Sequence, residues 1–197
     1  MKTKAHNPID HLSGKGTSRF VELYFAFGHL KQLFRQGWLR AGVPEARCES
    51  VAEHSFAVAL LALFVAEERF PDLDAGEVVK MALVHDLAEV FAGDITLHDG
   101  VAKDEKERRE RESMTRLFAG VPGGERVALL WEEYEAQASR EAVLVKQMDR
   151  LEMALQACVY EHQLGLDLGQ FFASARGALV WDEVSGILDE VEAARPR

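Results

Sequence analysis

Apolar positions recur every third or fourth residue along most of the chain, and no run alternates between apolar and polar as a half-buried strand would. Phe20, Leu23, Phe27, Leu30 and Phe34 trace one face of a first helix over 18–36, which Gly37 would end. Ser50-Val51-Ala52-Glu53 has capping-box spacing and sets a helix start near 51, running to about 69 ahead of Pro71. Asp74-Ala75-Gly76-Glu77 marks another start, for a helix that reaches Phe91 and is closed by Gly93. Residues 103–119 and 124–137 read as two more, parted by Val121-Pro122-Gly123-Gly124. Ser139 caps a long helix over 140–164 that Gly165 stops, and a shorter pair follows around 168–175 and 180–193. The expected fold is all-α, a single compact helical bundle over 18–193, with residues 1–17 as a loosely held tail.

Composition narrows the class. Of 197 residues, 48% are hydrophobic and 28% charged, enough for one globular domain to bury a core without staples. Cys48 and Cys158 stand far apart with no C-x-x-C pair, and read as reduced, buried thiols. No stretch approaches the roughly 20 uninterrupted apolar residues of a membrane span. The first residues lack the apolar block of a signal peptide, so the expected location is cytoplasmic, with no membrane partner. A formal net charge of −10 argues against a nucleic-acid polymer as partner, since that usually demands a broad basic face. It leaves room for a small anionic substrate held by a metal and a few local cations.

Within the apolar helices, a few polar side chains break the pattern. Val78, Met81, His85 and Glu89 fall on one helical stripe, and Asp86 lies at its edge. One helix earlier His54 heads the stripe His54, Val58, Leu61, Val65. On the long helix, Asp149 sits within a stripe of Ala142, Val145, Met153 and Tyr160. A bare carboxylate on a buried face is costly unless something pairs with it. Two imidazoles and two carboxylates suit one divalent first-row metal (Mn, Co, Fe or Zn) with positions open to water or phosphate oxygens. They do not suit a closed structural zinc site, which favours thiolates.

His54, then His85-Asp86, then Asp149 reproduce the H…HD…D pattern of HD-domain metal-dependent phosphohydrolases. The wording around them is more specific: "ESVAEHS", "ALVHDLAEVFAGDI", "KDEKERRERESM", "LWEEYEAQAS" and "VKQMDRLEMALQA". Over residues 20–190 the chain resembles the small 5′-deoxynucleotidase branch of that family. The resemblance implies an HD-domain helical bundle and a homodimer. His54, His85, Asp86 and Asp149 would be the metal ligands. Glu89 would orient or deprotonate the attacking water, and Asp94 would contact the deoxyribose of a deoxynucleoside 5′-monophosphate. Bacterial members carry Arg-Trp where this chain has Gly37-Trp38; Trp38 fits, and Arg35, Arg40 or Lys146 would have to supply the missing phosphate contact.

The remaining polar residues attract less. His98 is read as a solvated loop residue, His29 and His162 as packing or surface groups, and Trp131 and Tyr134 as core. The stripe from Phe20 to Phe34 serves either the core or a dimer face. Two alternatives stay open: an HD hydrolase acting on a triphosphate, cyclic dinucleotide or alarmone, and a nucleotide-binding module without chemistry.

Overall fold

The computed structural model describes residues 1–96 and 99–196, and among these it contains helices and turns but no strand. Ten α-helices follow one another: α1 Arg19–Phe27, α2 Gln36–Arg40, α3 Val51–Arg69, α4 Ala75–Val84, α5 Glu89–Ala92, α6 Lys103–Phe118, α7 Gly124–Ala136, α8 Arg140–Leu164, α9 Gly169–Ala178 and α10 Asp182–Ala193. The starts lie where their caps put them. Ser50 accepts from the backbone of Glu53 while the Glu53 carboxylate accepts from the backbone of Ser50. Asp74 and Ser139 accept from the amides of Glu77 and Ala142. Each bond satisfies an amide that has no partner inside its own helix.

The 25-residue α8 is the axis of the fold and packs against α3, α4, α7, α9 and α10. Both of its apolar stripes are buried, Leu144, Met148 and Leu151 on one and Ala142 and Val145 on the other. Val58 and Ala62 of α3 and Val78, Met81 and Ala82 of α4 complete the same core. Burying a side chain of leucine or methionine size contributes roughly 1.5–3 kcal/mol. The helices that carry the histidines and Asp149 are thereby held by the core itself. Cys48 and Cys158 are free and buried, and burial pushes the Cys48 thiol up to about 12.

Three expectations need correction. The first helix is not continuous over 18–36: α1 ends at Phe27, a 3₁₀ turn spans Gly28–Lys31, and Gly37 lies inside α2. Residues 33–35 leave the helix because their backbone is claimed elsewhere, Leu33 accepting from Val51 and Arg35 donating to Glu49. Tertiary hydrogen bonds outweigh helical periodicity there. Of the Phe20–Phe34 stripe, Leu30 and Phe34 enter the core while Phe20 is exposed.

The helix through the histidine-aspartate pair also breaks, α4 stopping at Val84 and α5 beginning at Glu89. Between them the amides of Leu87, Glu89 and Val90 bond three residues back, to Val84, Asp86 and Leu87. Finally, the first residues are tied down. Lys2 exchanges two hydrogen bonds with the Gln36 side chain, the Lys4 amide donates to Gln32, and Pro8–Leu12 form a 3₁₀ turn.

Candidate metal centre

His54 enters from the first turn of α3, His85 from the residue just after α4, Asp86 from the turn that follows, and Asp149 from the middle of α8. His54 is completely buried and His85 nearly so. The Nε2 atom of His54 lies 3.2 Å from Oδ1 of Asp149 and 3.7 Å from Oδ2 of Asp86. Nε2 of His85 lies 3.3 Å from that same Asp86 oxygen. Donor atoms of His54, His85 and Asp149 all fall within 4.8 Å of one another. Asp86 approaches from the side, where Nη1 of Arg35 is 3.5 Å away.

What decides the chemistry is where the bonds are missing. Each imidazole has its Nδ1 engaged: His85 donates to the Ala82 carbonyl at 2.6 Å, and His54 faces the Glu152 carboxylate at 2.6 Å. Both Nε2 atoms and Oδ2 of Asp86 are buried with no hydrogen-bond partner among the described residues. Buried polar atoms are rarely left so. Three orphans aimed at one point, with Asp149 beside them, fit a divalent metal. The Trp131 indole N–H donates to the His85 carbonyl and so braces the turn that presents the pair.

The charges of the metal-free protein lean the same way. Burial alone would raise the Asp149 and Asp86 carboxyls, but the neighbouring histidines, with Arg35 and Arg150, hold both well below the usual carboxylate range. His54 is lowered by burial and by Arg35, yet the carboxylates of Asp149 and Glu152 beside it raise it to about 10. That direction favours the charged form of His54 among the acids around it.

The surrounding residues sort by distance from this point. Glu89 opens α5, buried, with Oε2 unpartnered. Burial, then Asp86 and Asp94, push its carboxyl well above the ordinary value. Asp94 follows Gly93, whose φ of 81° turns the chain back toward the centre. It accepts from the Gln36 amide at 2.5 Å and lies 3.9 Å from Arg35. Arg35 thus meets Asp86 and Asp94 on one side of the centre, and Arg150 lies 3.8 Å from Asp149 on the other. Arg40 instead pairs with Asp99 and Thr96 at the surface. Lys146 sits over the Tyr134 ring, whose other neighbour is His85, and donates to the Tyr134 hydroxyl at 3.2 Å. Trp38 is buried against Phe171 and Tyr160, its indole donating to Glu49 at 2.7 Å. His98 lies outside the described residues.

The sequence profile of the HD domain matches residues 27–181. The chain belongs to the HD-domain family. Among similar proteins, 5′-deoxynucleotidase HDDC2 of Homo sapiens is 39% identical over 188 residues, covering 93% of this chain and 89% of that one. 5′-Deoxynucleotidase YBR242W of Saccharomyces cerevisiae is 33% identical, covering 85% and 71%. A crystal structure of a protein from Pyrococcus horikoshii superposes with a TM-score of 0.76 at 33% identity, covering 89% and 99%. One from Magnetospirillum magnetotacticum, described as a predicted metal-dependent phosphohydrolase, gives 0.66 at 26% identity, covering 90% and 97%.

Two carboxylates of this HD domain escaped the sequence reading. Glu152 stands one helical turn beyond Asp149, and that i, i+3 spacing was the available signal. Glu49 precedes the α3 cap, and burial together with Glu152 raises it to about 7.

A binding experiment follows from the His54 charge. Since the folded value is about 10, Nε2 carries a proton at pH 7 that a metal must displace. Metal uptake at pH 7 is expected to release about one proton, with affinity rising roughly tenfold per pH unit below that value. Calorimetry in buffers of different ionisation enthalpy checks this, and a buffer-independent heat contradicts it.

Proposed function

We propose that this HD-domain protein is a metal-dependent 5′-deoxynucleotidase that hydrolyses deoxynucleoside 5′-monophosphates to deoxynucleoside and phosphate. The observation that carries the proposal is the convergence of the unpartnered His54, His85 and Asp86 atoms with Asp149, beside a buried glutamate and a buried arginine. The relatives in Homo sapiens and Saccharomyces cerevisiae, both called 5′-deoxynucleotidase, support the substrate class.

His54, His85, Asp86 and Asp149 would hold one divalent transition metal (Mn, Co, Fe or Zn). Such an ion, when bound, supplies Lewis acidity toward a phosphate oxygen and toward water. The remaining work falls to the chain's own residues. Arg35, whose partners are Asp86 and Asp94, carries the phosphate charge in place of Arg40, which pairs with Asp99 and Thr96, and of Lys146, which Tyr134 and Glu135 engage. Glu89 takes a proton from the attacking water as its oxygen bonds to phosphorus. The P–O5′ bond then breaks, and the 5′-oxygen leaves as a hydroxyl on gaining the proton that Glu89 took from water. A raised carboxyl suits this task, because it accepts a proton more readily than an ordinary one. The Arg35 and Lys106 cations offset part of the repulsion that raises Glu89. Trp38 contributes by bracing the wall through Glu49 rather than by touching the substrate.

Asp94 keeps one oxygen on the Gln36 amide and turns the other toward Arg35, where it would accept from the sugar 3′-hydroxyl. Asp94→Ala is expected to lower kcat/KM and to narrow the preference for dAMP over AMP. An unchanged dAMP/AMP ratio at matched metal content would restrict Asp94 to holding the Arg35 segment.

The same proposal includes a cytoplasmic homodimer. Exposed Phe20, Val21 and Tyr24 on α1, and Phe56, Leu60 and Phe64 on α3, are surfaces that a second copy would cover. No helix among the described residues is long and apolar enough to cross a membrane. A phosphate-release screen over deoxynucleoside and ribonucleoside monophosphates, triphosphates and cyclic dinucleotides, with each metal in turn, tests the activity. Preferential turnover of a triphosphate or cyclic dinucleotide would displace the monophosphate proposal.

A further inference from the structure

His54 and His85 present the same atom to the centre but are held by different means. The Nδ1 proton of His85 goes to the backbone carbonyl of Ala82, an acceptor that the α4 backbone itself supplies. For His54 the corresponding partner is a side chain, Oε2 of Glu152 at 2.6 Å. Glu152 is 5% exposed and His54 is not exposed at all, so water has no access to replace that bond. The two residues come from different helices, α3 and α8, and α8 carries both Asp149 and the carboxylate behind His54.

We propose that Glu152 is a positioning residue that sets the ring orientation and tautomer of His54 for metal binding; this rests on the metal-centre reading above. A carboxylate at Nδ1 keeps a proton there, so that Nε2, on losing its own, offers its lone pair to a metal. It also makes the ring a more basic donor, as such outer partners of metal-bound histidines do. Glu49 stands behind it, its donor atom within 4.8 Å of those of His54 and Glu152, and is itself held by the Trp38 indole. This chain of contacts ties a core tryptophan to a ligand of the centre. The Glu49, His54, Glu152 group calls for no second ion, because the 2.6 Å contact already engages Nδ1.

The test compares the Zn(II) affinity of wild type, Glu152→Gln and Glu152→Ala by competition with a chromophoric chelator. Melting of the metal-free proteins is followed by circular dichroism. Glu152→Ala is expected to bind roughly 10–100-fold more weakly, with Glu152→Gln in between because its amide oxygen still accepts from Nδ1. A merely structural role would lower the melting temperature of the metal-free protein and leave the affinity of its folded fraction unchanged. Wild-type affinity in a folded Glu152→Ala variant overturns the proposal while leaving the metal centre standing. Should the alanine variant not fold, the glutamine variant decides: a several-fold loss supports the proposal and no loss overturns it. A wild type that takes up no metal overturns the metal centre, and this inference with it.

Discussion

An Asp149→Ala variant is expected to purify without stoichiometric metal and with phosphate release lowered by roughly 10³-fold or more. The metal's Lewis acidity is worth several kcal/mol of transition-state stabilisation, and each 1.36 kcal/mol is a factor of ten. Asp149 matters this much because of how the other donors stand. Asp86 lies 3.5 Å from the largely buried Arg35 and shares its charge with that guanidinium, whereas the cation beside Asp149, Arg150 at 3.8 Å, is half-exposed, and Asp149 lies 3.2 Å from Nε2 of His54. Without Asp149, two neutral imidazoles and one half-committed carboxylate remain, and two neutral donors offset little of a dication's desolvation. The fold should survive, since the Asp149 neighbours on α8, Met148 and Leu151, are completely buried and unaffected. Elemental analysis and phosphate release, measured on the same folded sample, check both halves. Full occupancy in that variant removes Asp149 from the ligand set.

Glu89→Gln should separate chemistry from binding. The amide keeps the shape of the side chain, and Oε2 of Glu89 has no hydrogen bond to lose. Metal content and melting temperature should therefore stay close to wild type. Turnover should fall by roughly 10²–10⁴-fold, the usual contribution of a positioned proton acceptor. The wild-type rate should also rise with pH above the ordinary carboxylate range, because burial, Asp86 and Asp94 disfavour the charged form of Glu89. That rising limb should be missing from the variant. A metal-loaded Gln variant with wild-type kcat would restrict Glu89 to supporting the turn between α4 and α5.

Caps, periodicity and the placement of histidines on apolar stripes are local, and they were legible in the chain. Ser50, Asp74 and Ser139 start their helices through bonds within four residues, so no tertiary knowledge is needed to find them. His54, His85 and Asp149 stand out because a polar group on a buried face demands a partner. The partner of His54 at Nδ1 was not legible. Glu152 is 98 positions away, and only the packing of α3 on α8 brings it to 2.6 Å. Nor could spacing choose among Arg35, Arg40 and Lys146, since each lies near the expected pocket in sequence and each has a different partner in space.

The amino-acid sequence by itself determined the helical class, eight of the α-helix starts within about two residues, and the four candidate ligands. These depend on interactions a few residues long, which the chain carries wherever it goes. Tertiary structure alone decided that residues 33–35 leave their helix, that the first residues are pinned to Gln36 and Gln32, and that Arg35 faces Asp86. It also decided that α4 stops at Val84, one residue before the histidine. In each case a long-range hydrogen bond or ion pair competes with a local preference worth less than about 1 kcal/mol per residue, and the stronger, non-local contact prevails.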